Sequence, residues 1–136
     1  MSANAQPILP AFWSYEEPTI DDNMRTILTE YSGIPEAQLV QHVKDVRNRA
    51  WEVFKYPCIG LFAFLKVRLA DSPLYPTIID RLRSGESLLE LGCGLGQEIR
   101  RMVVDGAPSE NISGADLQQP FIEYGYGLFN DRATLK

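Results

Sequence analysis

Glu90-Leu91-Gly92-Cys93-Gly94-Leu95-Gly96-Gln97 is the stretch whose reading decides the fold. Its glycines stand at alternate positions, between an apolar run and an amphipathic one. Residues 87–91, Ser-Leu-Leu-Glu-Leu, have the profile of a buried parallel strand: short, apolar and ended by glycine. Over 95–105 the period is helical, with Ile99, Met102 and Val103 on one face, Arg100 and Arg101 pointing outward beside Glu98, and Gly106 closing the turn. A strand-to-helix turn without Cβ atoms lets the backbone approach a nucleotide-like ligand. The dinucleotide fingerprint requires its last glycine where Gln97 stands, so the pattern here, acidic-x-G-x-G-x-G, is a different signature.

Downstream, 111–117 reads as a second strand, and Pro120 opens a helix carrying Phe121, Ile122, Leu128 and Phe129. This order predicts two adjacent parallel strands joined by a right-handed crossover. Glu90 precedes Gly92 by two residues, and Asp116 ends the second strand. In a doubly wound sheet both strand ends face one crevice. A carboxylate at the second strand end can accept from both hydroxyls of a ribose, and one beside the glycine loop favours a cation. Adenosine with a cationic group and no phosphate describes S-adenosyl-L-methionine better than a dinucleotide.

Upstream the chain is helical. Seven of nine prolines precede Ser87, whereas seven of ten glycines follow it, which predicts two regions meeting near Gly85. Thr19 and Asp22 resemble a helix cap, and Gly33 a stop. Pro35 suits the first turn of a second helix, on which Leu39, Val43, Val46, Ala50 and Phe54 form one apolar face ended by Pro57. A third helix is expected over 59–69, largely buried, and a short one over 76–83. Phe54, Tyr56, Phe62 and Phe64 read as core in preference to contacts with an apolar substrate. His42, the single histidine, reads as solvated or capping. Gly125 and Gly127, among Tyr124 and Tyr126, signal close helix packing or an irregular turn.

The 136 residues carry 13 Lys or Arg against 18 Asp or Glu, a net charge of −5. No basic surplus exists to neutralise phosphates, so a nucleic-acid binder and a polybasic membrane module are both disfavoured. Cys58 and Cys93 lie in dissimilar contexts and read as free thiols of a reducing compartment, Cys93 as a small residue packed in the glycine loop. No metal-ligand spacing is present, and no residue is singled out as catalytic. Residues 1–7 lack the pattern of a secretory signal, and the most apolar run, 57–65, is too short to span a bilayer. A soluble, cytoplasmic protein is expected.

Three stretches carry a resemblance: residues 56–60 (Tyr-Pro-Cys-Ile-Gly), residues 88–101 around the glycine loop, and residues 105–111 (Asp-Gly-Ala-Pro-Ser-Glu-Asn) with 114–117. On these the chain resembles class I S-adenosylmethionine-dependent methyltransferases of fungal meroterpenoid biosynthesis. The resemblance implies an α/β fold: N-terminal helices forming a lid over 1–85, then the first β-α-β-α unit of a Rossmann-like class I methyltransferase fold over 86–136, with the sheet incomplete. About seven strands belong to that fold and two are legible, so the chain reads as a front half. The resemblance implies cofactor binding by Glu90, Gly92, Gly94, Gly96, Gln97, Asp116 and Leu117, and O-methylation of a carboxyl or hydroxyl group on a terpenoid or polyketide acceptor. A homodimer, docking on a full-length methyltransferase as a non-catalytic relative, or an inactive fragment stay open beside it.

Overall fold

Helix formation begins at Asp21, whose carboxylate accepts the Met24 N–H at 2.9 Å and is held from the other side by Lys66 at 3.1 Å. The cap is therefore Asp21 and not Thr19: a carboxylate at a helix N-terminus gains a charge-assisted bond that a hydroxyl does not. In the computed structural model, which describes residues 11–135, α1 (Asp22–Thr26) runs straight into a π-helical turn, Ile27–Tyr31. There the Ser32 N–H reaches the Ile27 carbonyl, five residues back, at 2.9 Å. Gly33, at φ 71°, ends the helix as expected. The reading of residues 1–7 lies outside the described residues.

Pro35 leads into a 3₁₀ turn (Glu36–Gln38) and then α2 (Leu39–Val53), whose Leu39, Val43, Val46 and Ala50 are buried as the period predicts. Phe54 departs from that face. It follows the helix in extended conformation and is 46% exposed. The expected helix over 59–69 does not form. α3 (Pro57–Gly60) stops after one turn, Phe62 adopts a left-handed φ of 59°, and 3₁₀ turns at Ala63–Leu65 and Leu69–Asp71 carry the chain onward. Ile59, Phe62, Phe64, Leu65 and Val67 are all buried. One continuous helix would turn some of them to water, and breaking it lets each face the core.

α4 (Tyr75–Arg83), β1 (Leu88–Leu91), α5 (Gln97–Val104), β2 (Ile112–Ala115) and α6 (Gln119–Phe129) complete the order. β1 and β2 pair in parallel from Leu88↔Ile112 to Leu91↔Ala115, so the protein is a mixed helical fold with a small two-stranded parallel sheet, a partial α/β arrangement. β1 is not buried on both faces, however: Leu89 and Leu91 are 59% and 76% exposed. One apolar cluster joins α1, α2 and α3 to Leu95, Phe121, Leu128 and Phe129; a second joins α4 to Cys93, Ile99, Met102 and Ile112. His42 Nε2 lies 2.8 Å from the Leu128 carbonyl and so caps the end of α6, the second of the two roles expected for it. Among the described residues no helix is long and apolar enough to cross a membrane.

Arg100 overturns a simple surface reading. Instead of pointing outward it is buried, and it makes two bonds to the buried carboxylate of Asp131, at 2.8 and 3.0 Å. Tyr31, at the end of the π-helical turn, donates to the same carboxylate at 2.8 Å. Another guanidinium nitrogen lies 3.3 Å from the Leu95 carbonyl and 3.4 Å from that of Gly96. Arg101 pairs with Asp105 one turn on, at 2.5 and 2.8 Å, while Glu98 accepts the backbone N–H groups of Arg68 and Leu69. Breaking a buried pair by removing one partner strands the other charge. Arg100→Met is therefore expected to lower unfolding free energy by about 3–5 kcal/mol in urea titrations, whereas Arg132→Met, at the exposed pair with Glu123, changes it by less than about 1 kcal/mol.

Candidate functional site

The glycine turn between β1 and α5 is built on left-handed backbone: Gly92, Gly94 and Gly96 have φ of 67°, 56° and 77°. Gly96 is fixed for a second reason, since a Cβ there would lie 2.3 Å from the Arg100 guanidinium. Gly125 of α6 presses on the same turn: a Cβ on it would stand 2.4 Å from the Leu95 carbonyl oxygen, which makes it the site of close packing, while Gly127 faces open space. Cys93 is buried against Gly114 and Ile99, the small packed residue that its setting suggests. Asp116 ties the turn to β2. One carboxylate oxygen accepts the Gly94 N–H and the other the Gln118 N–H, both at 2.9 Å, and the Cys93 N–H bonds the Ala115 carbonyl at 3.0 Å.

These elements open onto a cleft of about 560 Å³. Leu91, Gly92 and Gly94 form one side, Ala115, Asp116 and Leu117 a second, with Phe121 of α6 beside them. The third side comes from far upstream: Tyr56, Cys58 and Ile59. Leu117 is almost fully exposed at the mouth. Among the described residues that line this cleft, Asp116 bears the only formal charge. Partial desolvation raises the Cys58 thiol above its ordinary pKa and the nearby Asp116 charge adds to the push; burial, Glu90 and Asp116 do the same to Cys93. Both sulfurs are held as thiols, which suits neither to nucleophilic work. Among the described residues no His, Cys, Asp and Glu cluster could hold a metal ion.

The structure thus brings Gly92, Gly94, Asp116 and Leu117 together. Gly96 borders a separate hollow of about 260 Å³ between β2, α5 and α6, and Gln97 is the first residue of α5. Glu90 lies apart. In register with Gly114, two residues short of Asp116, it lines a third hollow of about 460 Å³ with Leu88, Glu98, Met102 and Arg68. Tyr56, Cys58, Ile59 and Phe121 are the lining residues that sequence reasoning missed. Phe62 and Phe64 are core as expected, but Tyr56 is half-buried at the cleft with Phe54 stacked on it, ring centroids 4.1 Å apart. The aromatic pair Phe54 and Tyr56 just before Pro57 was the available signal, yet nothing local ties residue 56 to residue 116.

A parallel strand–helix–strand unit with a glycine turn clamped by the second strand's carboxylate places the protein in the α/β class. Comparison with known proteins then shows what the chain is similar to. Residues 13–65 match the family model described as the meroterpenoid methyltransferase N-terminal domain. The chain is 48% identical over 126 residues to the methyltransferase adrK of Penicillium roqueforti, covering 93% of this chain and 45% of that protein. It is 48% identical over 126 residues to the O-methyltransferase atr3 of Stereocaulon alpinum (91% and 36% covered). With the asnovolin E/chermesin D methyltransferase nvfJ of Aspergillus novofumigatus it shares 46% over 117 residues (86% and 42%). The chain is therefore similar to part of several fungal methyltransferases, and residues 13–65 are similar to the meroterpenoid methyltransferase N-terminal domain. It spans less than half the length of these relatives. No solved structure matches it.

Glu90 also makes a measurable pH signature. Its Oε2 is buried without a hydrogen-bond partner, and desolvation, with repulsion from Glu98, pushes its pKa up to about 7 against the pull of Arg100. The folded state therefore binds the proton more tightly than the unfolded chain, and this contribution is present below about pH 4.5 and lost as pH rises through about 7. Between pH 5 and pH 8 the expected loss is on the order of 1 kcal/mol, reduced from the full shift because the side chain is only partly buried. Glu90→Gln flattens that part of the profile in urea denaturation; parallel profiles for the two proteins would contradict the assignment.

Proposed function

We propose that this chain is the cofactor-binding front part of a Rossmann-like class I methyltransferase that takes S-adenosyl-L-methionine as methyl donor. The observation that carries the reading is the Asp116-clamped glycine turn opening onto a cleft without a basic side chain. A dinucleotide or nucleotide phosphate finds no counter-charge there, whereas a neutral adenosine with a cationic tail meets only Asp116 as a formal charge. The residues present therefore fit the donor. Asp116 retains lone pairs for the ribose hydroxyls beyond the two N–H groups it accepts, Leu117 suits the adenine side, and Gly92 and Gly94 leave open space over the turn. Gly96 and Gln97 shape the start of α5, and Glu90 backs the turn from the next hollow. When bound, the donor supplies an electrophilic methyl group on sulfur. The protein's part is to orient it and exclude water.

The proposed reaction is O-methylation of a carboxyl or hydroxyl group on a terpenoid or polyketide acceptor in fungal secondary metabolism, a reading supported by one relative's name, O-methyltransferase, and by the word meroterpenoid in the family model's description. Calorimetry with S-adenosylmethionine tests the binding half: the wild type is expected to bind, and Asp116→Ala to lose at least about 10-fold, roughly one charged hydrogen-bonding group. Equal heats for both proteins, or none for either, would sink the site.

A second reading rests on the exposed Leu89, Leu91 and Leu117, which make an uncovered apolar border along the sheet and cleft. It is a non-catalytic relative that docks on a full-length methyltransferase or on a second copy. Light scattering behind size-exclusion chromatography separates the two, because a monomer that stays unassociated with the full-length enzyme counts against docking.

A further inference from the structure

If the cleft takes a sulfonium donor, a further question is what faces the positive sulfur. The sequence offers Glu90 for that task, but Glu90 lines a different hollow, and Asp116 is given above to the ribose hydroxyls. Apart from Asp116, every described residue lining the cleft is uncharged. A desolvated cation needs compensation from charge, dipole or a π face.

We infer that Tyr56, supplied by the N-terminal domain, is the aromatic face that receives the cationic group of the donor. Tyr56 lines the same cleft as the glycine turn and Asp116. Its ring is held rather than loose. Phe54 stacks on it at 4.1 Å with planes 30° apart, and Phe121, buried at the base of α6, meets it edge-on at 5.9 Å. Pro57 begins α3 directly behind it and keeps Tyr56 in extended backbone, at φ −72° and ψ 141°, outside the helix. Phe54 covers one face of the ring, and the ring borders the cleft. Cations bind such faces electrostatically, and the attraction grows where water is excluded. The N-terminal domain thereby acts as one wall of the donor site, since Tyr56, Cys58 and Ile59 all fall within residues 13–65. This inference rests on the donor-binding reading above.

The test compares two ligands that differ by one methyl group and one positive charge, S-adenosylmethionine and S-adenosylhomocysteine, by calorimetry on the full chain. Tyr56→Phe keeps the π face and is expected to bind both as the wild type does. Tyr56→Leu is expected to lose about 5-fold or more for the sulfonium while binding the neutral thioether within about 2-fold. Should leucine unfold the chain, pentafluorophenylalanine at position 56 keeps the ring shape and reverses its quadrupole, and the same selective loss is expected. Equal loss for both ligands, or none for either, overturns the role of Tyr56 and leaves the donor site standing. A wild type that binds neither ligand overturns both.

Discussion

Much of this structure hangs on one buried guanidinium. Arg100 leaves the inner face of α5, grips Asp131 beyond the end of α6 with two bonds, and reaches back to the carbonyls of Leu95 and Gly96. Tyr31 meets the same carboxylate from the first helical segment. A charge so deep is tolerated only when its partners are complete, and here they are drawn from three distant parts of the chain. The glycine turn, the last helix and the first helix are thereby held in one arrangement. Asn130, which donates to the Ser32 carbonyl at 3.2 Å, reinforces the same junction.

The cleft divides its work between two kinds of chemistry. The downstream side is backbone and carboxylate, shaped by Asp116 holding N–H groups on both sides of the β2 end. The upstream side is apolar and aromatic, contributed by Tyr56, Ile59 and the Cys58 thiol. Neither side alone closes the cleft, so residues within the 13–65 match sit against a glycine turn that they do not adjoin in sequence.

The parts of the fold legible in sequence were those set by local rules. Glycines at 92, 94 and 96 announce left-handed turns, the three- and four-residue steps from Leu39 to Ala50 announce a helix face, and the β-α-β order follows from length and period. What was not legible depended on distant partners. Arg100 reads as a surface charge because Asp131, 31 residues later, supplies its reason for burial. Residues 59–69 read as one helix because apolarity alone gives no direction, and only the finished core shows that Phe62 and Phe64 must turn separately inward. Glu90 and Asp116 read as neighbours because both sit near strand ends, yet the strand register puts Glu90 two residues too early to share the cleft. α4 precedes Gly85 but packs with the second apolar cluster, and α6 follows it but packs with the first, so contact in space crosses the point where composition shifts.

The π-helical turn at Ile27–Tyr31 has a consequence for how such chains diverge. A π turn is an α-helix carrying one surplus residue. Deleting a single codon there, at Thr29 or Glu30, would restore ordinary helical winding and leave the turns on either side in register. Tyr31 would keep its contact with Asp131, and Ile27 and Leu28 would keep their buried places. One small insertion or deletion event is thus absorbed at this turn, without disturbing the Arg100–Asp131 pair or the hydroxyl that meets it.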